Sequence, residues 1–367
     1  MKILLIQLKQ IGDVLITTSL LKNIKENFPD SKVDILVYDY CSGVVKNNPY
    51  IDNIMTVSAE ERANSLKFYA KMYKLRKEKY DYSFDLLADV RSAIVTFFVG
   101  AKNKVVSKKN KLRNKIFYNK RIENKNSNVV MYRNYLLKAI KEDIKFNSEV
   151  KIYIEKSEKD RVKERMNSNG VDFSKPIAAF GINSRREYKI WNIDYFIEVI
   201  EFLITKYDMQ VIFYNNESER EYALIAKEKI SKKENVFTDI YTKDIRDLAA
   251  LLQNCDMFIG NEGGPRHIAE SVGIFTFAIG YTTHSEEDWI LNEKKWGFEN
   301  RMVQIDDYFK MEKKEFEQYK KTIGRDREKE KEEFKKLKPE FVKEKIVEMI
   351  EELKEKGCFR EEIEWKR

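Results

Sequence analysis

The stretch KILLIQLKQIGDVLITTSLLKNIKENFP, Lys2–Pro29, frames the reading of the whole chain. Its apolar run, Ile3 to Ile6, has the uninterrupted hydrophobicity of a strand buried on both faces. A QIGD turn follows, and then apolar residues recur at helical spacing from Asp13 to Phe28, stopped by Pro29. A buried strand, a tight turn and a helix make the first half of a βαβ unit. Asp13 stands beside Gly12 at the mouth of that helix. There a carboxylate either caps the helix or faces a ligand at the carboxyl edge of the sheet.

Outward from this stretch, KVDILVY and YDYSFDLLAD read as further strands separated by helical patterns. The pattern restarts at PIAAFGIN, near residue 176. It continues through a helix at 193–206, the strand MQVIFYNN, a helix at 217–229, NVFTDI, IRDLAALLQNC, DMFIGNEGG, PRHIAESVG and IFTFAIGYTT. Two doubly wound α/β domains are expected, divided as 1–160 and 161–310. The remainder, 311–367, is dense in both charges, and Phe334, Leu337, Phe341, Ile346, Ile350 and Leu353 fall on one helical face. It reads as a helical tail packing back on the body.

Composition narrows the function. With 43% hydrophobic and 35% charged residues in 367, the chain reads as a soluble globular protein. No apolar stretch approaches the roughly 20 residues that span a bilayer, and Met1–Ile6 reads as a strand rather than a signal peptide. Cys41, Cys255 and Cys358 are far apart and lack metal-ligand spacing, so unpaired thiols of a reducing, cytoplasmic compartment are expected. The net charge is +8, yet 102–125 holds ten Lys or Arg against one acid, Glu123, so this segment carries the surplus. Such a patch attracts phosphate on nucleic acid, on a membrane surface or on a substrate, or stands as a solvated basic loop.

Ligands of open parallel sheets bind beyond the carboxyl ends of the strands, which selects the loops. In IGNEGGPRHIAESVG, Gly260, Gly263 and Gly264 offer backbone freedom, and Pro265 suits the first turn of a helix whose free N–H groups can face phosphate. His267 is one of two histidines; the other, His284, lies in a comparable loop. GINSRREYKIW, Gly181–Trp191, supplies hydroxyl, guanidinium and ammonium donors, and Lys189 can neutralise a diphosphate. Glu219 can accept from ribose hydroxyls or serve as a helix N-terminal carboxylate. The chain has no G-x-G-x-x-G after its first strand, no P-loop, no G-x-S-x-G elbow and no His/Cys metal cluster, which argues against dehydrogenase, P-loop and metalloenzyme readings.

Three blocks together resemble the heptosyltransferases, glycosyltransferase family 9: the opening stretch through KVDILV, then YDYSFDLLADVRSAIVTFFVGAKNKV, then DMFIGNEGGPRHIAESVGIFTFAIGYTT. The likeness covers about 1–105 and 176–305. It implies a GT-B fold, two Rossmann-like domains facing each other across a cleft. The implied reaction is inverting and metal-independent transfer of a sugar, usually from ADP-heptose, to a lipopolysaccharide or lipooligosaccharide core, with no cofactor beyond the nucleotide sugar. On this likeness Asp13 is the general base. Ser184 and Lys189 hold the diphosphate, Glu219 contacts the nucleoside, and Glu262, Gly263, Gly264 and His267 surround the donor. Gly12, Arg91, Lys109, Lys111 and Arg113 would meet an anionic lipid-linked acceptor at the inner membrane face, with peripheral membrane contact and no nucleic acid. Glu262 and Gly263 stand where the family usually has Asp and then Ser or Thr, and YTTHSEED replaces its usual Pro-Thr-Asp-Pro run. The competing readings are a transferase of the same fold using another nucleotide sugar, a non-catalytic nucleotide- or glycan-binding protein and, third, a nucleic-acid-binding module. The basic segment permits the third, but no RNP-like aromatic pattern or recognition-helix motif supports it.

Overall fold

Ile3, Leu4, Leu5 and Ile6 are fully buried, as a strand covered on both faces requires. They form the centre of a sheet in a computed structural model that describes residues 1–108, 112–126, 128–184, 186–214, 220–280, 291, 301–323 and 326–359. Six strands make the first sheet: β1 (Lys2–Gln7), β2 (Lys32–Tyr38), β3 (Asn53–Val57), β4 (Tyr82–Asp85), β5 (Asn103–Ser107) and β6 (Lys120–Ile122). Another six make the second: β7 (Ile177–Gly181), β8 (Gln210–Ile212), β9 (Val236–Phe237), β10 (Met257–Asn261), β11 (Phe275–Ile279) and β12 (Arg301–Val303). Every pairing is parallel.

The first sheet has the order β3-β2-β1-β4-β5-β6, and the second β12-β11-β10-β7-β8-β9. Both are the doubly wound Rossmann order, so the expected pair of Rossmann-like domains is present. In each sheet the connections reverse direction at one seam, between β1 and β4 and between β7 and β10. The crevice beyond the carboxyl ends at such a seam is where ligands of this architecture bind.

The chain divides into two compact units, the first Met1–Tyr153 and the second from Ile154 onward, and among the later described residues Leu291 groups with the first. A split at 160 would cut the helix Lys156–Ser168. That helix is docked whole on the helix Ile245–Leu252, where Arg246 Nε donates to Glu158 at 2.7 Å and Arg165 to Asp247 at 2.8 Å. The tail is likewise part of the second unit. Phe334 and Leu337 join Val342, Ile346, Met349, Ile350 and Leu353, the last five of these on the helix Pro339–Glu355, in one core with Trp191, Phe196 and Leu203. Trp191 Nε1 donates to the Leu337 carbonyl at 2.9 Å.

Three local differences from the sequence pattern have physical causes. The first crossover is two helices, Ile11–Ile16 and Thr18–Asn27, rather than one. Thr17 Oγ1 turns back onto the Asp13 carbonyl at 2.9 Å, where a fully buried amide, Gln7 Nε2, also donates at 3.0 Å. The strand expected through YDYSFDLLAD stops at Asp85, whose Oδ1 accepts from the N–H groups of Leu87 and Ala88 and bends the chain away. The basic segment is no loop: β5, the helix Leu112–Phe117 and β6 form a βαβ unit at the edge of the first sheet. No described helix is long and apolar enough to cross a membrane.

Candidate functional site

At the seam of the first sheet, β1 delivers Asp13 to the carboxyl edge. The capping reading of Asp13 fails. The helix Ile11–Ile16 has Gln10 as its N-cap, and the Asp13 side chain accepts from cations instead of from helix N–H groups. Arg133 Nη2 donates to Asp13 Oδ1 at 2.8 Å, and its Nη1 donates to the Asp13 carbonyl at 2.9 Å. Lys9 Nζ reaches the same Oδ1 at 3.2 Å from a more exposed position. Oδ2 has no partner among the described residues, so one carboxylate oxygen is fixed by two cations and the other is not.

The other side of this seam follows β4. Asp85 is buried, and burial pushes its carboxyl above the ordinary range despite the hydrogen bonds it accepts. Besides the two N–H groups it receives the Tyr118 hydroxyl, and Ala88 is held in the left-handed region at φ 57°. Asp89 then caps the helix Val90–Val99 reciprocally with Ser92. This cap exposes Arg91, whose guanidinium lies 5.6 Å from the centre of the Phe68 ring. Arg113 Nη2 donates to the Ala88 carbonyl at 2.5 Å, so it braces the turn. Gly12 lies in the first turn of its helix. Lys109 and Lys111 lie outside the described residues.

The second seam brings Lys189 and Glu262 together. Lys189 ends a single turn, Glu187–Lys189, after β7, and Glu262 follows β10 directly. Lys189 Nζ donates to Glu262 Oε2 at 2.7 Å, with both side chains largely buried. Burial pushes the Glu262 carboxyl upward, but Lys189, His267 and Arg266 outweigh it and hold the group below the usual glutamate value of 4.5. Its stabilising charge is therefore intact above about pH 4.5 and is lost only as the pH falls further.

Behind this pair the helix Gly264–Val272 carries a buried row of charges. His267 Nε2 lies 3.9 Å from Glu262 Oε1, and its Nδ1 lies 3.6 Å from Glu270 Oε2. Glu270 pairs with the fully buried Arg266 at 2.8 Å. Asn261 fixes the loops, accepting from Trp191 N at 2.8 Å and donating to the carbonyls of Gly181 and Ile182. Ser184 is half-buried on the same loop as Lys189. A cavity of about 420 Å³ opens beside that loop, bounded by Glu187, Trp191, Tyr222, Lys331 and Phe334. Glu219 and His284 lie outside the described residues.

The three glycines of this block are not equivalent. Gly263 is extended, with φ 167°, and among the described residues a β-carbon added there would meet no atom nearer than 3.9 Å, and one added at Gly264 nothing within 4 Å. The backbone freedom expected there is not used. Gly260 is the one that must be glycine, because a β-carbon would lie 2.6 Å from the Gly181 carbonyl oxygen across the β7–β10 seam. Gly260→Ala should force the two central strands apart and lower stability by about 1–3 kcal/mol, read as a shift of the urea midpoint.

Arg133, Asn261 and Gln7 were not picked out by the sequence pattern. Gln7 and Asn261 carry a weak signal, each a polar residue closing an otherwise apolar strand.

The family model for "Glycosyltransferase family 9 (heptosyltransferase)" matches residues 69–339. Lipopolysaccharide heptosyltransferase 3 of Escherichia coli is 24% identical over 282 residues, covering 74% of this chain and 82% of its own length. Lipopolysaccharide heptosyltransferase 1 of Campylobacter coli is 26% identical over 286 residues, covering 73% and 80%. Among solved structures, a family 9 glycosyl transferase from Veillonella parvula superposes with a TM-score of 0.79 at 18% identity, covering 95% of this chain and 96% of that one. The E. coli heptosyltransferase WaaC with ADP gives 0.64 at 16% identity, covering 98% and 99%. With its two Rossmann-like units and its match to the family model, the chain belongs to glycosyltransferase family 9 and is a glycosyltransferase of the GT-B fold.

Proposed function

We propose that the chain transfers a heptosyl group from ADP-heptose to a hydroxyl of a lipopolysaccharide or lipooligosaccharide core, with inversion and without a metal. The observation that carries the reading is the Asp13 carboxylate on the ligand edge of the first sheet, clamped at Oδ1 by Arg133 and without a partner at Oδ2 among the described residues. Asp13 Oδ2 takes the proton of the acceptor hydroxyl as its oxygen attacks C1 of the donor sugar. The bond from C1 to the diphosphate breaks on the opposite face, and ADP departs with the electron pair. Lys189 and the N-terminus of the helix Gly264–Val272 stabilise the charge that develops there. Glu262 and His267 flank the sugar, Ser184 and Glu219 contact the diphosphate and nucleoside, and Arg91 with the basic residues near it meets acceptor phosphate. The relatives named as lipopolysaccharide heptosyltransferases, and the similarly folded enzyme solved with ADP, support this choice of donor and acceptor. The reading places the protein in the cytoplasm, at the inner face of the membrane that carries its acceptor.

Incubation with ADP-heptose and a core oligosaccharide tests it by mass spectrometry: one added heptosyl residue with stoichiometric ADP release is expected, and an unchanged acceptor would refute it. Lys189 gives a separate test. Replacing Lys189 alone leaves Glu262 buried without its cation, so the informative variant is Lys189→Met/Glu262→Gln. Loss of a charged hydrogen-bond donor, worth about 1.5–3 kcal/mol, should weaken ADP binding roughly tenfold to a hundredfold while the fold persists. Calorimetric titration with ADP reads this directly.

A second donor reading rests on Gly263. The described residues leave open space at Gly263, where the family resemblance implies a hydroxyl-bearing side chain. A nucleotide sugar with a bulkier substituent at that point fits as well, and a panel of donors in the same assay separates the two.

A further inference from the structure

The helix Val90–Val99, VRSAIVTFFV, is apolar nearly all round. A helix of that composition is normally buried on every side. One face is: Ala93, Val95, Thr96 and Val99 pack into the first unit. The other, Val90, Ile94, Phe97 and Phe98, recurs at i, i+4, i+7 and i+8 and reaches the surface, with Val90 62% and Phe97 51% exposed. The helices on either side extend the same surface. On Ser65–Lys74, Leu66, Tyr69 and Tyr73 form one stripe, and on Leu112–Phe117, Leu112 and Ile116 share a face. Leu66 is 85% exposed, Leu112 74% and Ile116 66%. Ring contacts run unbroken across all three helices: Tyr69 to Phe98 at 5.4 Å, Phe98 to Phe97 at 5.8 Å, and Phe97 to Phe117 at 5.9 Å.

We infer that this three-helix face is a docking surface for an anionic lipid bilayer. The charges around it select that occupant. Lys74, Arg91 and Lys115 are exposed on the same three helices, and none meets a carboxylate among the described residues. The neighbouring acids are already engaged: Glu60 with Lys67, Glu61 with Lys71, and Asp89 in its helix cap. An apolar, aromatic face rimmed by unpaired cations matches the interfacial zone of a membrane, where aromatic rings sit at headgroup level and cations meet anionic lipid. A second copy of this chain would bring the same cations against one another across a two-fold axis. The inference rests on the proposed position at the inner membrane face and adds the surface that makes the contact; it does not require turnover.

The test is co-sedimentation of the full chain with vesicles of phosphatidylcholine alone, or mixed with phosphatidylglycerol, at low and high salt. Binding to the mixed vesicles that weakens with salt is expected. Phe97→Ser/Leu112→Ser/Ile116→Ser should weaken it about tenfold or more, since three apolar side chains no longer leave water. Lys74→Glu/Lys115→Glu should weaken it about tenfold through charge alone. All five substitutions fall on exposed positions, so ADP binding should match the wild type. Phe97→Ser also removes a half-exposed ring packed on Phe98 and Phe117, so the triple variant should stay folded and unfold at a slightly lower temperature. That control separates failure of this inference from failure of the donor reading. Wild type that ignores mixed vesicles, or a triple variant that binds them like wild type, would overturn the assignment. So would a concentration-dependent dimer that the triple serine variant abolishes, because it would give the face to a second copy.

Discussion

Asp13→Asn should lower turnover by two or more orders of magnitude and leave ADP affinity unchanged. The substitution is nearly isosteric. The amide oxygen can keep the Arg133 Nη2 bond now made by Oδ1 at 2.8 Å, so the loop geometry is retained. What is lost is the acceptor capacity at the Oδ2 position, where an amide nitrogen cannot take a proton. A merely structural Asp13 would give the opposite pattern, with wild-type turnover and a change in stability. Arg133 acts through Asp13 and is a positioning residue: Arg133→Gln should move the pH profile of turnover while ADP binding stays.

The largest stability effect is expected at Arg266. Its side chain is fully buried, as is that of Glu270, to which it pairs at 2.8 Å. Removing one member of a buried ion pair leaves the other charge without compensation and costs about 3–5 kcal/mol. In a domain of this size each kcal/mol moves the transition by about 2–4 °C, so Arg266→Met should lower the second unit's melting temperature by roughly 6–20 °C. His267, at 3.6 Å from the other Glu270 oxygen, is too distant to replace the guanidinium. Replacing both members, Arg266→Met/Glu270→Leu, should recover most of the loss, because a buried pair exchanged for apolar groups of similar volume is close to neutral. Differential scanning calorimetry of the two variants decides it. An equal loss in both would mean that the hydrogen bonding of Glu270, rather than its charge balance, supports the helix.

The elements legible in the sequence were those whose pattern is set locally. β1, β7 and β10 are buried on both faces, so their continuous apolar runs named them. The turns after β1 and β7 pointed to Asp13 and Lys189, whereas Glu262, after β10, came only with the family resemblance. The strands at and next to the edges of the first sheet were hidden. β3 exposes Asn53 and Ile54, and β5 and β6 carry Lys104, Lys120 and Arg121, so their charge read as a basic loop instead of strands. The tail face was legible because Phe334, Ile346, Ile350 and Leu353 keep helical spacing among dense charge. Arg133 was not legible at all: it reaches Asp13 from 120 residues away, and only the fold creates that pair. Gly260 was hidden among three similar glycines, because the constraint on it comes from Gly181 on the neighbouring strand.

Thermal unfolding of the wild-type protein against ADP, UDP, GDP, CMP and NAD tests the central claim most directly. A ligand at 100 times its dissociation constant adds about 2.7 kcal/mol to the folded state. The account predicts selective stabilisation by ADP that shrinks to about 0.4–1.4 kcal/mol in Lys189→Met/Glu262→Gln at the same ADP concentration. Stabilisation by UDP or GDP in place of ADP would contradict the donor assignment, and silence from every nucleotide would contradict the transferase mechanism built on the Lys189–Glu262 seam.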